Sequence, residues 1–144
     1  MLVQAILKSK SNSSVFTIKP DAKVSEAAEI LAKNRIGTVV VSDDGTTADG
    51  ILSERDIVRE LAVSGSGCLN EPVREYMTQR LVTCTRQDNA QEVLQKMTEG
   101  RFRHMPVVED GKLVGIVTLG DVVKAQLSEL AMEKDALEGM IRGM

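Results

Sequence analysis

The sequence predicts an α/β (α+β) fold in which two β-α-β-β-α repeats pack together as a pseudo-twofold pair, followed by a C-terminal helical tail. Three observations predict it: a phrase that occurs twice, helix and strand spacing around each copy, and a composition suited to one aliphatic core. The phrases are GILSERD at 50–56 and GIVTLGD at 115–121. Each has Gly-Ile, an aliphatic residue, a hydroxyl residue, and aspartate three places further on.

The repeat extends well beyond the two phrases. Residues 17–45 superpose on 83–111 with a shift of 111 − 45 = 66 and no gap. The matched pairs include Thr17 with Thr83, Glu26 with Glu92, Arg35 with Arg101, Val41 with Val107, Asp44 with Asp110 and Gly45 with Gly111. Past that turn the shift becomes 115 − 50 = 65, because the first loop is one residue longer. A duplicated supersecondary unit explains this register.

Each repeat is predicted to begin with a short strand, at 15–18 and at 81–84. A helix follows, because apolar residues recur with the period of one helical face. These apolar residues are Val24, Ala27, Ala28 and Leu31 in the first repeat, and Ala90, Val93, Leu94 and Met97 in the second.

A hairpin and a second helix complete each predicted repeat. The strands are expected at 38–41 and 50–52 in the first repeat, and at 105–108 and 113–117 in the second. The intervening DDG and EDG turns are strong hairpin signals. The second helices are predicted to start at Ser53 and Thr118.

Five segments follow from this pattern. The predicted organisation is an N-terminal segment at 1–14, a first repeat at 15–63, a Gly/Ser-containing linker at 64–80, a second repeat at 81–130 and a helical tail at 131–144. The last helix carries more apolar residues than a solvated helix needs: Leu127, Leu130, Ala131, Met132, Leu137, Met140 and Ile141. It is predicted to pack on a partner subunit, with a target protein as the alternative.

Composition excludes several classes of function. Aromatic residues make up 2% of the chain, and the net charge is −3, so neither base stacking nor a basic surface for nucleic acid or membranes is expected. No apolar window reaches a membrane-spanning length, and the chain is expected in the cytoplasm. One histidine and two separated cysteines predict no metal site. Cys68 and Cys84 are expected to be inert, and Met97, Met105 and Met132 to lie in the core.

The repeated phrase has two interpretations. A hydroxyl residue followed three places later by an acid is a helix N-cap pattern. The same helix N-terminus could hold an anion, while its aspartate accepts hydrogen bonds from ribose hydroxyls and the adjoining strand end offers an apolar slot for a purine. The residues alone leave both interpretations open.

With its two G-h-h-[ST]-x-x-D phrases and the apolar-acid-Asp-Gly segments at 39–45 and 105–111, the chain resembles a tandem pair of cystathionine β-synthase (CBS) domains, a Bateman module. The resemblance covers residues 15–63 and 81–130, and SERDIV and RHMPVV resemble the small stand-alone bacterial members. It implies adenosine nucleotide binding between the repeats, a disc-like homodimer, and regulation of an unidentified protein.

The resemblance also implies site residues in two unequal clefts. The stronger, the Asp121 cleft, is expected to comprise Thr118, Asp121, Arg103, His104, Ile18, Ala22, Ala27, Ile36, Gly37 and Thr38. The weaker is expected to comprise Ser53, Arg55 and Asp56. Arg103 and His104 are expected to meet phosphate in the first cleft, and Arg55 in the second.

The expected function is therefore a non-catalytic regulatory module that binds AMP or NAD(H), or ATP, and requires no cofactor. The alternative is a constitutive interaction or dimerisation module with vestigial clefts. The sequence has no paired carboxylates, no Cys/His/Asp set, no P-loop and no GxGxxG, so no catalytic constellation is visible.

Overall fold

Two small sheets, one in each repeat, carry the fold. The computed structural model describes residues 1–10 and 15–143, so residues 11–14 of the predicted N-terminal segment and Met144 of the tail lie outside the described residues. The helices are α1 (Val3–Ser9), α2 (Val24–Asn34), α3 (Glu54–Ser64), α4 (Ala90–Gly100) and α5 (Leu119–Arg142). The strands are β1 (Thr17–Ile18), β2 (Thr38–Val41), β3 (Gly50–Ser53), β4 (His104–Glu109) and β5 (Lys112–Thr118). Two short 3-10 helices, Ser66–Asn70 and Val73–Glu75, lie in the linker.

The first repeat forms the sheet β1-β2-β3. Strand β1 runs parallel to β2, and β2 runs antiparallel to β3 with Thr38 opposite Ser53. All four residues of β2 are buried, as expected of a central strand covered by helices. Helix α2 buries the face that its periodicity predicts, through Val24, Ala27 and Leu31.

The second repeat keeps the hairpin β4-β5, with His104 opposite Thr118. The strand predicted at 81–84 is wrong in extent, because only Cys84 pairs, through one parallel bridge to Val107. The reason is Pro106, which has no N–H to donate. In the first repeat the matching residue, Val40, donates its N–H to the Phe16 carbonyl at 3.0 Å.

The N-terminal segment folds onto the second repeat, an arrangement that sequence analysis did not anticipate. Val3 and Ile6 are buried in the second core. The Val3 N–H donates to the Asp88 carbonyl at 2.8 Å, and the Gln4 N–H donates to the Arg86 carbonyl at 3.0 Å. Helix α1 therefore completes a repeat that begins about eighty residues further along the chain.

The linker makes the same contacts on the first repeat. The Val73 N–H donates to the Ala22 carbonyl at 2.8 Å, and the Arg74 N–H donates to the Pro20 carbonyl at 3.1 Å. The donor residues of the two sets of hydrogen bonds are 73 − 3 = 70 positions apart in the chain, and the acceptor residues are 88 − 22 = 66 positions apart. The segment that precedes each repeat thus packs on the other repeat, which ties the two repeats together.

Side-chain burial decides the remaining core predictions. Met97 and Met105 are buried as predicted, but Met132 is 62% exposed and its core assignment is wrong, because the second half of α5 extends past the body. Cys68 and Cys84 are buried, and burial raises the pKa of Cys84 to about 12. No helix within the described residues combines the length and the apolar character needed to cross a membrane.

Candidate functional site

Both repeated phrases form helix N-caps. The Ser53 Oγ accepts from the Asp56 N–H at 3.2 Å, while Asp56 Oδ2 accepts from the Ser53 N–H at 2.9 Å. The Thr118 Oγ1 accepts from the Asp121 N–H at 3.1 Å, and Asp121 Oδ2 accepts from the Thr118 N–H at 2.9 Å. Each phrase is a reciprocal capping box, so the simpler of the two interpretations holds at both sites.

The N-terminal segment and the linker, each of which packs on the repeat that it does not precede, will be called the exchanged segments. The glycine that opens each phrase makes room for one of them. A Cβ on Gly50 would lie 2.6 Å from Met77 Sδ and 3.0 Å from the Thr78 carbonyl oxygen. A Cβ on Gly115 would lie 2.9 Å from Leu7 Cδ2. Because these approaches are too close for a methyl group, glycine lets the linker and α1 lie directly on the two hairpins.

A cavity of about 1050 Å³ lies between the repeats on the side of the first capping box. It will be called the Asp56 cavity. It is lined by Gly37, Thr38, Ile51, Ser53, Glu54, Arg55, Asp56, Arg59, Thr78, Arg80, Leu81, Val82, Gly100, Arg101, Phe102, Arg103, His104, Thr118, Leu119 and Gly120. Both repeats and the linker contribute to it, so the cavity depends on the complete pair.

The charge of the Asp56 cavity is strongly positive. Its lining includes five arginines: Arg55, Arg59, Arg80, Arg101 and Arg103. The lining includes only two carboxylates, those of Glu54 and Asp56, to offset this positive charge. A lining that combines arginines with apolar residues such as Val82 and Phe102 can provide both an anion-binding surface and an apolar wall.

Asp56 keeps one carboxylate oxygen available. Its Oδ2 is used in the capping box, where it also accepts from Ser53 Oγ at 2.9 Å. Among the described residues, the only polar contact of Oδ1 is a long one of 3.4 Å to Nη1 of Arg59, whose side chain is 68% exposed. The second oxygen can therefore accept hydrogen bonds from a bound molecule without breaking the cap.

Thr38 lines the same cavity and carries a hydroxyl without a hydrogen-bond partner among the described residues. The residue is 7% exposed, and within the described part of the chain its Oγ1 is the one buried side-chain polar atom without a hydrogen-bond partner. A buried hydroxyl without a partner costs free energy, and such positions in native structures call for an explanation such as a water or ligand partner. Thr38 lies opposite Ser53 in the sheet, beside the capping box.

His104 lies where the two repeats meet. Its ring packs over Gly37, where a Cβ would lie 3.3 Å from both Cε1 and Nε2. Burial lowers the pKa of His104 below 6.5, and it does so despite the nearby Glu54 carboxylate, which acts in the opposite direction. The imidazole is therefore neutral at pH 7 and contributes hydrogen-bonding capacity, while the arginines supply the positive charge.

The Asp121 cleft is occupied by the protein itself. Lys10 Nζ lies 2.9 Å from Asp121 Oδ2 and donates to the Ile116 carbonyl at 3.0 Å. Burial acts to raise the pKa of Asp121, but Lys10 and the Thr118 N–H outweigh it and hold that pKa below 3.8. The N-terminal segment thus brings a cation to the carboxylate that sequence analysis assigned to ribose.

The structure divides the residues predicted for the stronger cleft. Thr118, Arg103, His104, Gly37 and Thr38 line the Asp56 cavity, together with all three residues predicted for the weaker cleft. The others do not: Asp121 pairs with Lys10, Ile18 and Ala27 are buried in the first core, and Ala22 and Ile36 pack against that core. Binding by any of these residues stays a prediction.

Several cavity residues were missed by sequence reasoning. Thr78 and Arg80 come from the end of the linker, and Leu81 and Val82 from the start of the second repeat. Arg59 lies within α3, and Arg101 and Phe102 directly follow α4. Thr78 is held against β3 by reciprocal backbone hydrogen bonds with Ile51 at 2.8 and 3.0 Å. A signal existed in the four basic residues Arg80, Arg101, Arg103 and His104, which flank the start and the hairpin of one repeat.

The chain belongs to the CBS domain family. The family's sequence model, described as "CBS domain", matches residues 6–63 and 73–128. The first match begins inside α1 and the second inside the linker, at the two exchanged segments. Among the described residues, no group of three or more potential metal ligands is present.

Solved structures of CBS proteins share this fold. The CBS-domain-containing protein ATU1752 from Agrobacterium tumefaciens is 41% identical with a TM-score of 0.82, covering 88% of this chain and 99% of that one. The CBS domain protein PAE2072 from Pyrobaculum aerophilum, complexed with AMP, is 28% identical with a TM-score of 0.78, covering 92% and 99%. The CBS domain pair of protein MJ0100, in complex with 5-methylthioadenosine and S-adenosyl-L-methionine, is 28% identical with a TM-score of 0.78, covering 90% and 98%.

Proposed function

We propose that this CBS pair binds a phosphate-bearing adenosine nucleotide in the Asp56 cavity and acts as a regulatory sensor for another protein. The observation that carries the proposal is the meeting of Asp56, five arginines and an apolar wall in one cavity between the repeats. Similar CBS structures hold AMP in one case and methylthioadenosine with S-adenosylmethionine in another, which supports adenosine as the shared part of the ligand.

The residues fit the parts of a nucleotide. The second oxygen of Asp56 can accept hydrogen bonds from the ribose hydroxyls, as acidic residues do in other nucleotide sites. Leu81, Val82 and Phe102 offer apolar surface to a purine. The arginines would meet the phosphates in paired hydrogen bonds.

The charge of the cavity favours AMP, ATP or NAD(H) over S-adenosylmethionine. The sulfonium of S-adenosylmethionine is a cation and would face an excess of guanidinium groups. The volume of about 1050 Å³ lies at the upper end of the roughly 300–1,000 Å³ usual for small-molecule sites. A nucleotide with several phosphates, or a dinucleotide, would use the space and charge most fully.

Regulation requires that the nucleotide bind two conformations with different affinity. The linker can couple ligand binding to the arrangement of the repeats, because it contributes Thr78 and Arg80 to the cavity and also packs on the first repeat. A ligand that draws the arginines together would shift the position of one repeat relative to the other. The altered surface would then be presented to the regulated protein.

A thermal-shift panel on the full chain tests the proposal. The compounds are AMP, ATP, NAD, NADH, S-adenosylmethionine and, as a base control, GMP. A ligand at about 100 times its Kd should stabilise the folded state by roughly 2.7 kcal/mol, and the phosphate-bearing adenosine compounds should give the largest rise in Tm. If no compound moves Tm at millimolar concentration, the proposal fails, and the chain is instead a constitutive interaction module with vestigial clefts.

A further inference from the structure

The single histidine of the chain borders the candidate site. His104 opens β4, where it lies opposite Thr118, and its side chain is half-buried. It lines the Asp56 cavity, although β4 belongs to the second repeat and Asp56 to the first. Histidine is the residue whose ordinary titration falls between about pH 5 and pH 8. The cavity therefore has one lining group whose charge can change within the physiological range of pH.

The two repeats differ at this position. The shift of 66 places Thr38 where the second repeat has His104, because 104 − 66 = 38, and both residues line the cavity. Gly37 makes room for the ring, since the atoms nearest to a Cβ at that position are Cε1 and Nε2 of His104, both at 3.3 Å. The imidazole of one repeat thus lies against the backbone of the other, and the matching threonine does not titrate.

Burial and charges of both signs act on the imidazole. Burial has the largest effect and lowers the pKa of His104. Glu54 in the first turn of α3 and Asp121 in the first turn of α5 act to raise that pKa. Lys10 in the N-terminal segment and Arg103 directly before β4 act to lower it. With charges of both signs present, burial decides the outcome and keeps the ring of the free protein neutral at pH 7.

A nucleotide in the Asp56 cavity would add negative charge to the lining that His104 shares. The lining has five arginines and two carboxylates, and this excess of positive charge opposes an imidazolium. Phosphate groups bound by the arginines would offset the excess. An opposite charge within about 4–6 Å favours the charged form of a titratable group, typically by about one to three pKa units. Nucleotide binding would therefore favour protonation of the ring.

We propose that the Asp56 cavity binds its nucleotide together with a proton, and that His104 takes up this proton from solvent and returns it when the nucleotide leaves. Because it needs phosphate in this cavity, the coupling rests on the proposed function. The coupling is reciprocal: a nucleotide that promotes protonation binds more tightly when the pH falls. The CBS pair would then respond both to the concentration of nucleotide and to the acidity of its surroundings.

The same residue makes the empty protein less stable in acid. The folded-state pKa of His104 lies below 6.5, so the unfolded chain, in which the ring is exposed, takes up the proton more readily. Stability contributed by the neutral ring is present above about pH 6.5 and is lost as the pH falls towards the folded-state pKa. Bound nucleotide reverses this preference for the neutral ring, so the stabilisation that it provides should grow in acid.

Proton NMR of the full chain, prepared without a histidine tag, tests the coupling. Because the chain has one histidine, the Cε1 proton of His104 can be recognised by its titration. Its chemical shift is followed from about pH 5 to pH 8, in the free protein and with saturating ATP. We expect ATP to raise the titration midpoint by about one pH unit or more. An unchanged midpoint, with ATP seen to bind through other resonances, overturns the coupling and leaves the proposed function standing. If ATP changes no resonance at any pH, both fail.

Isothermal titration of ATP into wild type and His104→Gln provides a matched comparison. Glutamine donates and accepts hydrogen bonds but takes up no proton, and protonation of ATP itself is common to both experiments. One coupled proton changes Kd by at most about tenfold per pH unit, so the ratio of variant Kd to wild-type Kd should rise about threefold or more from pH 8 to pH 6. A ratio that does not change with pH would contradict proton uptake by His104. The NMR test needs no variant and stands if His104→Gln does not fold.

Discussion

Asp56 and Asp121 close the same capping box at the start of matching helices, yet their surroundings differ. Asp56 borders a cavity with five arginines, and one of its oxygens has only a long contact with Arg59. Asp121 is paired with Lys10 at 2.9 Å. The duplicated phrase therefore specifies the helix start in both repeats, whereas the side chains around it, such as Lys10, determine what else each aspartate contacts.

The exchanged segments are the source of this difference. The linker delivers Thr78 and Arg80 to the rim of the Asp56 cavity. The N-terminal segment delivers Lys10 to the carboxylate of Asp121 itself. A guanidinium at the rim attracts an anionic ligand, but an ammonium on the carboxylate competes with the hydroxyls of a ribose. Variants that alter one of these regions, with a matched variant of the other as the control, can separate the effect of the cavity arginines from the effect of Lys10.

The largest effect is expected when the arginines of the Asp56 cavity are removed. The double variant Arg80→Ala with Arg103→Ala should weaken ATP binding about 100-fold, because hydrogen bonds to charged groups contribute about 1.5–3 kcal/mol each and the two need not be additive. Isothermal titration measures the change. Arg86→Ala, which removes an exposed arginine outside the cavity, should leave the affinity unchanged. An equal loss in both variants would mean that net charge, and not the cavity, attracts the nucleotide.

The next effect concerns the two glycines that open the phrases. Gly50→Ala should lower the free energy of unfolding by about 2 kcal/mol, within the usual range for overpacking. The new Cβ would press on the Thr78 carbonyl, a backbone atom, as well as on Met77. Gly115→Ala should cost less, because the atoms nearest to the new Cβ all belong to the flexible Leu7 side chain. Urea unfolding compares the variants, and equal losses would show that the linker is no more rigidly placed than α1.

The smallest effect is expected from the ion pair in the Asp121 cleft. Lys10→Ala should lower stability by about 1 kcal/mol or less at pH 7, as is usual for partly exposed pairs. Lys10 helps to hold the folded-state pKa of Asp121 below 3.8, so the pair stabilises the fold above that pH and loses its contribution as the pH falls through the lowered pKa. The difference between wild type and Lys10→Ala should therefore shrink in acid.

Chemical denaturation at several pH values follows this difference, and Lys8→Ala is the control because Lys8 is exposed and forms no ion pair among the described residues. A difference between wild type and Lys10→Ala that grows in acid would contradict the account. So would a loss of the same size in Lys8→Ala.

The sequence predicted the local elements of the fold but not the contacts between distant segments. Helix α2 and the capping boxes depend on residues within one or two helical turns. The apolar spacing of the helix and the hydroxyl–acid spacing of the caps can therefore be recognised in the sequence. The truncated strand at Cys84 has its cause on the neighbouring strand, where Pro106 has no N–H to donate, and the strand prediction overlooked it. Lys10 could not be placed in this way, because it lies 106 residues from the carbonyl to which it donates.

The sequence predicted several of the residues that line the cavity, but not how they are grouped around it. A ribose-binding aspartate next to basic residues was inferred from the phrases, and the basic residues Arg103 and His104 do lie in a cavity. That cavity also holds Asp56, and the His104 ring reaches Gly37 of the first repeat across the interface between the repeats. The direction of those side chains depends on how the repeats pack, which spacing along the chain does not reveal.

The most direct test is isothermal titration of the tightest-binding nucleotide against Asp56→Asn and Asp121→Asn. Asparagine can still accept the capping hydrogen bond, so both variants keep their helix starts and differ from wild type mainly in charge and acceptor strength. We expect at least a tenfold loss of affinity, about 1.4 kcal/mol, for Asp56→Asn and no more than a small change for Asp121→Asn. Undiminished binding to Asp56→Asn together with a loss in Asp121→Asn would contradict this expectation and place the nucleotide in the Asp121 cleft, after displacement of Lys10.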